Sequence, residues 1–262
     1  RVRSLLKAKA YADAVREAMA RDLRIAREIQ MGILPTDLAS ITKGSGLDVH
    51  AVIEPARQVG GDLYEVLRVS DSRVVVALGD VSGKGIPAAL FMAVAVTVLR
   101  TLARQIERPD EILRRLNDEL VEQNPRGMFV TLQCLVIDTK ERRVLCAGGG
   151  HHQLAVLAPN QPPRLAYASS GRPIGLMPAN PITWHTIALE PGETFVLYSD
   201  GVSEAMNAKD DLYGEERLLE TLAASRDAAP AEIVSRVLAD VRAFADGAKQ
   251  SDDITILAVR YA

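Results

Sequence analysis

The order of strand-like and helical segments is the feature that most limits the folds open to this chain of 262 residues. Runs rich in β-branched and aromatic residues predict strands that occur in groups, with helices between the groups. The predicted strands are 47–54, 62–69, 73–79, 128–138, 143–147, 154–157, 183–188, 194–199 and 254–259, and the predicted helices after the first strands are 85–106, 109–123, 214–224 and 230–245. Grouped strands indicate an α+β fold, an antiparallel β-sandwich flanked by helices, rather than alternating βαβ units.

Residues 1–34 are predicted to form a separate N-terminal signalling helix, because Gly32 is their only Gly or Pro and Pro35 follows. Their apolar residues recur at a seven-residue spacing in two rows, which is typical of a coiled coil and predicts a homodimer through this helix. The rows are Leu5, Ala12, Met19, Ala26 and Ile33, and Ala8, Val15, Asp22 and Ile29. An amphipathic helix lying along the following domain is the alternative. The predicted domains are therefore 1–34, a linker or coiled-coil helix, and 35–262.

Composition excludes several functional classes. The chain has 31 Lys and Arg against 34 Asp and Glu, and a net charge of −3 disfavours nucleic-acid binding. Two cysteines and four histidines exclude a disulfide framework and a thiolate zinc site, so a catalytic metal would need mostly oxygen ligands. No apolar run approaches the ~18 residues of a membrane span, and no secretory signal is visible. We therefore expect a cytoplasmic chain that does not bind membranes.

Aspartates adjoin glycine or another acid at the edges of four predicted strands: Asp62, Asp80, Asp200 and the pair Asp252-Asp253. Any one of them alone is typical of a turn residue or a helix cap. As a set they are more informative, because clustered carboxylates repel one another unless cations neutralise them. Hard oxygen ligands favour Mg²⁺ or Mn²⁺ over zinc or copper.

Five segments contain these aspartates or lie between them: 57–64 (RQVGGDLY), 79–90 (GDVSGKGIPAAL), 128–131 (MFVT), 197–205 (LYSDGVSEA) and 252–255 (DDIT). Together they resemble the motifs of SpoIIE-type protein serine/threonine phosphatases, which belong to the metal-dependent phosphatase (PPM) superfamily. The resemblance runs in order from about residue 24 to the C terminus. It includes residues 26–30 followed by Leu34-Pro35, which resemble the helix that usually precedes this domain.

The resemblance implies two stacked antiparallel sheets flanked by helices, with two Mn²⁺ or Mg²⁺ ions at one end of the sandwich. These ions would activate a water that hydrolyses phosphoserine or phosphothreonine. Carried over by position, the metal ligands are Asp80 bridging both ions, the Val81 carbonyl, Asp62 at the first ion, and Asp200 and Asp252 at the second. The pair Asp252-Asp253 can be aligned in either register, so Asp253 is also a candidate.

Two positions near these ligands are less clearly assigned. Arg57 has a spacing to Asp62 that resembles that of a phosphate-binding arginine, and a solvated loop arginine is the alternative. Ser82 stands where many relatives have a histidine, so the resemblance supplies no general acid. The adjacent His151 and His152 are expected to provide turn polarity rather than a metal pair, because neighbouring side chains on a strand point to opposite faces.

The resemblance also implies partners. The substrate would be a phosphorylated anti-sigma factor antagonist in a bacterial partner-switching pathway. Residues 1–9 resemble the end of a response-regulator receiver domain, so we expect an upstream receiver or sensor domain. A phosphatase-like binding or scaffold domain without turnover and a hydrolase of small phosphoesters are the alternative functions.

Overall fold

The computed structural model describes residues 2–122, 124 and 126–262, and side chains from residue 6 onward except that of residue 8. The described helices are α1 (Val2–Ile33), α2 (Leu38–Thr42), α3 (Ile86–Ala103), α4 (Pro109–Glu122), α5 (Asp200–Ser203), α6 (Gly214–Ala224) and α7 (Pro230–Ala245). The described strands are β1 (Leu47–Glu54), β2 (Leu63–Arg68), β3 (Arg73–Val81), β4 (Val130–Asp138), β5 (Arg143–Gly149), β6 (Leu154–Leu157), β7 (Arg164–Ala166), β8 (Trp184–Ala188), β9 (Thr194–Tyr198) and β10 (Ile254–Tyr261).

Two antiparallel five-stranded sheets form the centre of the molecule. The first sheet has the order β1-β10-β9-β6-β7 and the second has the order β2-β3-β4-β5-β8. Helices α6 and α7 pack on the first sheet, and helices α3 and α4 pack on the second. The result is a four-layer helix–sheet–sheet–helix arrangement, which confirms the predicted β-sandwich flanked by helices.

Strands β9 and β10 show how the sequence pattern produces these layers. Successive side chains of a strand point to opposite faces, so a strand with apolar residues on both faces must be covered on both sides. The residues that pack in the core with the second sheet are Phe195, Leu197, Leu257 and Val259. Those that pack in the core with α6 and α7 are Val196, Tyr198, Ile256 and Ala258. Both strands are therefore central, and their ends are held rigidly.

Helix α3 comes from the longest apolar run in the sequence. Within the described residues it is the one helix long and apolar enough to cross a membrane by length and composition. One of its faces instead packs in the core against β2 and β3. The buried residues of this face are Ala88, Met92, Ala95, Val96, Leu99 and Ala103.

Three elements were not predicted: α2, β7 and α5. They are three to five residues long. Such short segments contain too few residues to show helical or strand periodicity. They therefore depend on contacts made elsewhere in the fold.

Helix α1 contacts the rest of the chain near its C-terminal end. Gln30 is 5% exposed; its Nε2 donates to the Gly60 carbonyl at 2.7 Å, and its Oε1 accepts from the Gly60 N–H at 3.2 Å. Further towards the N terminus the predicted coiled-coil rows are open to solvent, with Met19 and Ile29 both 63% exposed. The alternative of a helix lying along the domain therefore fits only the last turns of α1.

His151 connects the two sheets. Its Nε2 donates to the Tyr198 carbonyl of β9 at 3.1 Å, which leaves Nδ1 to accept from the Thr131 hydroxyl of β4 at 2.9 Å. The expectation that His151 is a polar turn residue was wrong, because it is 8% exposed and bonded on both sides. Burial, together with the neighbouring His152, lowers the pKa of His151 to about 3.

We predict that Gln30→Ala lowers the free energy of unfolding by about 1–3 kcal/mol, because the buried N–H and C=O of Gly60 lose their partners. Urea unfolding of the full chain measures this change. Arg27→Ala is the matched control, since Arg27 is exposed on the same helix. Equal unfolding midpoints for the two variants would contradict the role of Gln30.

We predict that His151 makes stability depend on pH. Its pKa is about 3 in the folded chain against an ordinary value of 6.5, so only the unfolded chain gains this proton between those values. The stability from neutral His151 is present above pH 6.5 and is lost as the pH falls towards 3. His151→Gln should be less stable at pH 7, and its deficit should narrow by about 2 kcal/mol at pH 5. Parallel pH dependences in urea unfolding would contradict this assignment.

Candidate metal centre

The predicted site aspartates lie at strand ends that come from both sheets. Asp62 precedes β2 and Asp80 lies near the end of β3, both in the second sheet. Asp200 follows β9, and the Asp252-Asp253 pair precedes β10, both in the first sheet. Because these strand ends meet at one end of the sandwich, the structure brings together carboxylates that are up to 191 residues apart in sequence.

Asp253 holds the loop between β1 and β2 in place. Its Oδ1 accepts from the Ala56 N–H at 2.8 Å, and its Oδ2 accepts from the Gly61 N–H at 2.7 Å and the Asp62 N–H at 3.4 Å. A Cβ atom on Gly60 would collide with the Asp253 carboxylate. Both oxygens of Asp253 are therefore occupied by backbone donors, and glycine is what permits the approach.

Gly61 brings the same loop against the end of β3. The Val81 N–H donates to the Gly61 carbonyl at 3.3 Å. A Cβ atom on Gly61 would lie 2.6 Å from the Val81 carbonyl oxygen and 3.0 Å from Asp80 Oδ1. The loop backbone thus packs directly against the Val81 carbonyl and the Asp80 carboxylate. A residue larger than glycine at position 61 would not fit there.

Two carboxylates carry buried oxygens that lack a protein partner. Asp62 is 1% exposed, and its Oδ2 accepts from the Thr255 hydroxyl. Within the described part of the chain, Asp62 Oδ1 and Asp200 Oδ1 are buried and accept no hydrogen bond. A buried carboxylate oxygen without a donor is costly unless a cation compensates for it.

The pKa values of these carboxyl groups are raised first by burial and then by mutual repulsion. Burial, followed by the charges of Asp200 and Asp252, raises the pKa of Asp80 to about 7. Burial and then Asp80 raise the pKa of Asp62 well above its usual range, and burial and then Asp252 raise that of Asp200. Each shift favours a proton or another cation at the cluster.

Asp252 is the most solvent-accessible member of the pair at β10. Its Oδ1 accepts from the Asp253 N–H at 2.9 Å. Its Oδ2 accepts from Lys84 Nζ at 2.7 Å, and the same ammonium donates to the Ser251 carbonyl at 2.7 Å. Lys84 was not among the predicted site residues, although it lies inside the 79–90 segment.

The donor set fits a hard divalent cation, because every candidate ligand atom is an oxygen and several of them are buried. For the ranges that the structure describes, no three His, Cys, Asp or Glu side chains already surround a common point as metal ligands. Instead, one oxygen of Asp62 accepts from Thr255, and one oxygen of Asp252 accepts from Lys84. The fit therefore lies in the chemistry, burial and charge of the cluster.

The other predicted positions lie at the rim. Arg57 is exposed and directly follows Ala56, whose N–H is bound by Asp253. Ser82 fixes the turn after β3, since its hydroxyl oxygen accepts from the Phe129 N–H at 2.9 Å and its N–H donates to the Phe129 carbonyl at 2.8 Å. Neither contact of Ser82 reaches a carboxylate of the cluster.

Sequence reasoning also missed residues that support the aspartates. Ser199 donates its hydroxyl to the Asp253 carbonyl at 3.1 Å and accepts from the Thr255 N–H at 3.0 Å. A Cβ atom on Gly201 would collide with the Asp253 carbonyl. These residues lie within the 197–205 and 252–255 segments. Their position next to the aspartates in the sequence was the one indication that they support the site.

Comparison with known proteins identifies relatives. A family model described as Stage II sporulation protein E (SpoIIE) matches residues 70–262, which is more than half of the chain. Protein IcfG of Synechocystis sp. is 29% identical over 265 residues, covering 91% of this chain and 41% of that protein. Phosphoserine phosphatase RsbU of Bacillus subtilis is 28% identical over 191 residues, covering 72% of this chain and 56% of that protein. The chain thus spans about half the length of these curated relatives.

Solved structures share the fold. The SiaA-PP2C domain of Pseudomonas aeruginosa superimposes with a TM-score of 0.84 at 23% identity, covering 95% of this chain and 99% of that domain. The catalytic domain of the serine/threonine protein phosphatase PstP, determined in complex with two manganese ions, superimposes with a TM-score of 0.61 at 16% identity, covering 82% of this chain and 97% of that domain. Because the family model matches more than half of the chain, the chain belongs to the SpoIIE family.

Proposed function

We propose that this chain hydrolyses phosphoserine and phosphothreonine on a regulatory phosphoprotein, using two Mn²⁺ or Mg²⁺ ions held by the acidic cluster. The observation that carries the proposal is the convergence of Asp62, Asp80, Asp200 and Asp252 from four strand ends. Asp62 and Asp200 each have a buried oxygen that accepts no hydrogen bond from the described residues. Solved relatives of the same fold support the choice of metal.

In this proposal Asp80 would hold both ions, the Val81 carbonyl would hold one of them, Asp62 would hold the first, and Asp200 and Asp252 would hold the second. Bound ions of this kind supply an activated water and neutralise the phosphate oxygens. Asp253 has a supporting role, because both of its oxygens already accept backbone N–H groups and fix the loop that contains Asp62. Asp252 gives only one oxygen to a backbone N–H and the other to the Lys84 side chain, which an ion can displace, so Asp252 is favoured over Asp253 as the ligand.

The chain's own residues also limit proton transfer. His151 is neutral near pH 7, since burial and His152 lower its pKa to about 3, and both of its ring nitrogens are engaged. It is therefore a structural residue and not the acid that protonates the leaving oxygen. We propose that Arg57, exposed beside the clamped Ala56, provides the first contact for the substrate phosphate.

We propose a phosphorylated anti-sigma factor antagonist as the substrate, and a cytoplasmic site of action for this bacterial signalling role. The similarity to RsbU, which is named a phosphoserine phosphatase, supports the phosphoserine part of this proposal. The aligned regions cover 41% and 56% of these two relatives, which leaves room in a protein of their length for an upstream receiver or sensor domain.

A second candidate function is a binding or scaffold domain that keeps the sandwich without turnover. The presence of all four candidate ligand aspartates favours the enzyme over this alternative. A small phosphoester as substrate is the third candidate. Activity on a phosphoserine protein and on p-nitrophenyl phosphate distinguishes these functions.

We predict that Asp80→Asn and Asp200→Asn each lower kcat for Mn²⁺-dependent phosphate release by at least about a hundredfold, because an ion ligand is lost at the reacting centre. Asp48→Asn, an exposed position on β1, is the control. In EDTA the two site variants should melt no lower than wild type, since carboxylate repulsion is relieved. Equal activity of all four proteins would contradict the metal assignment.

We propose that residues 1–34 form a separate unit, followed by the phosphatase domain at 35–262, and that α1 pairs with a second copy of the chain. The two apolar rows of α1 support this pairing, because they are exposed over most of their described length.

We predict that Met19→Glu in the full chain shifts the sedimenting species from dimer to monomer, because it buries a charge in the proposed seam. Ala10→Glu, on the opposite face of the heptad, should leave the mass unchanged. Removal of residues 1–35 should have the same effect as Met19→Glu. A monomeric wild-type chain at micromolar concentration would contradict the dimer.

A further inference from the structure

The turn between β3 and α3 places Lys84 against the acidic cluster. Gly83 and Gly85 flank the lysine with φ values of 88° and 79°, which are left-handed conformations that glycine adopts without strain. The Lys84 ammonium reaches across 168 positions of sequence to donate to Asp252 Oδ2 at 2.7 Å. Its second bond, to the Ser251 carbonyl at 2.7 Å, fixes it over this carboxylate.

The contact involves Oδ2 of Asp252, which is not the oxygen that accepts from the Asp253 N–H. The other oxygen, Oδ1, accepts from the Asp253 N–H at 2.9 Å, so rotation of the carboxylate would break that bond. The Lys84 and Asp252 side chains are 40% and 32% exposed, so the pair is only partly screened by solvent. A divalent ion bound through Asp252 Oδ2 must therefore share this oxygen with the ammonium or displace it, because an ion and an ammonium on the same oxygen repel each other.

We propose that Lys84 is a positioning residue that competes with the divalent ion for Asp252 and weakens ion binding on the Asp200 and Asp252 side of the centre. The inference rests on the proposed metal-dependent function. The carboxylates of the cluster all attract cations, whereas Lys84 lowers the affinity of the cluster for them. Binding of the ion on this side is accompanied by release of the Lys84 bond.

Lys249 offers a matched control. It is exposed and lies three positions before Asp252, and it makes no ion pair within the ranges that the structure describes. Lys249→Gln removes the same charge near the same loop without touching the contact to Asp252. Lys84→Arg keeps the positive charge at the contact. The three variants thus separate direct competition from a general effect of charge.

The test is calorimetric titration of the full-length chain with Mn²⁺ at fixed pH and ionic strength. Lys84→Gln should bind the more weakly held of the two Mn²⁺ ions roughly three- to tenfold more tightly than wild type does. A change of this size is expected when one partly screened charge contact is removed. Lys84→Arg and Lys249→Gln should each change that affinity by less than about twofold. Unchanged or weaker binding by Lys84→Gln would overturn the proposal, and so would equal tightening by Lys249→Gln.

Melting temperatures provide a second measurement. In EDTA, Lys84→Gln should melt below wild type because the acidic cluster loses its internal cation, and the rise caused by Mn²⁺ should be larger than for wild type. A purely structural lysine would lower the melting temperature equally with and without Mn²⁺, which would contradict competition. Failure of the proposed function gives a different result: wild type itself would then bind no Mn²⁺, or Asp80→Asn would bind it as well as wild type does.

Discussion

The acidic centre depends on the carboxylate of Asp253, which accepts the N–H groups of Ala56, Gly61 and Asp62. The chain leaves the first sheet at the end of β1 and enters the second sheet at β2, and the connecting loop is held by these bonds. Because Asp253 immediately precedes β10, the clamp fixes both sheets to each other at one end. Asp62 lies at the end of this loop, so its position depends directly on the clamp.

The acidic centre also carries an electrostatic cost. Asp62, Asp80 and Asp200 are crowded and partly dehydrated, and the pKa of each is raised by burial before any neighbouring charge is counted. Such a cluster does not stabilise the fold by itself, since like charges repel in a poorly hydrated space. Thr255 and Lys84 offset part of this cost from opposite sides, through a hydroxyl on Asp62 and an ammonium on Asp252.

The sequence predicted the sandwich because its signals are local. The first strand and β6 were predicted with the bounds that the structure shows, and each candidate aspartate was placed at a strand end. The unpredicted contacts join distant residues: Lys84 with Asp252, Gln30 with Gly60, and His151 with Tyr198. Their partners are set by how strands and loops meet in three dimensions, and no periodicity along the chain records that.

Gln30 shows why such a contact matters beyond stability. It holds both backbone groups of Gly60, and the next residue, Gly61, donates to Asp253. The last turn of α1 is also tied to α3, because Arg100 donates to the Ile33 carbonyl and pairs with the buried Glu65 of β2. A rotation of α1 relative to the sandwich must therefore either break these bonds or move the loop that positions Asp62. The N-terminal helix is therefore connected to the acidic centre through the hydrogen bonds from Gln30 to Gly60 and from Gly61 to Asp253.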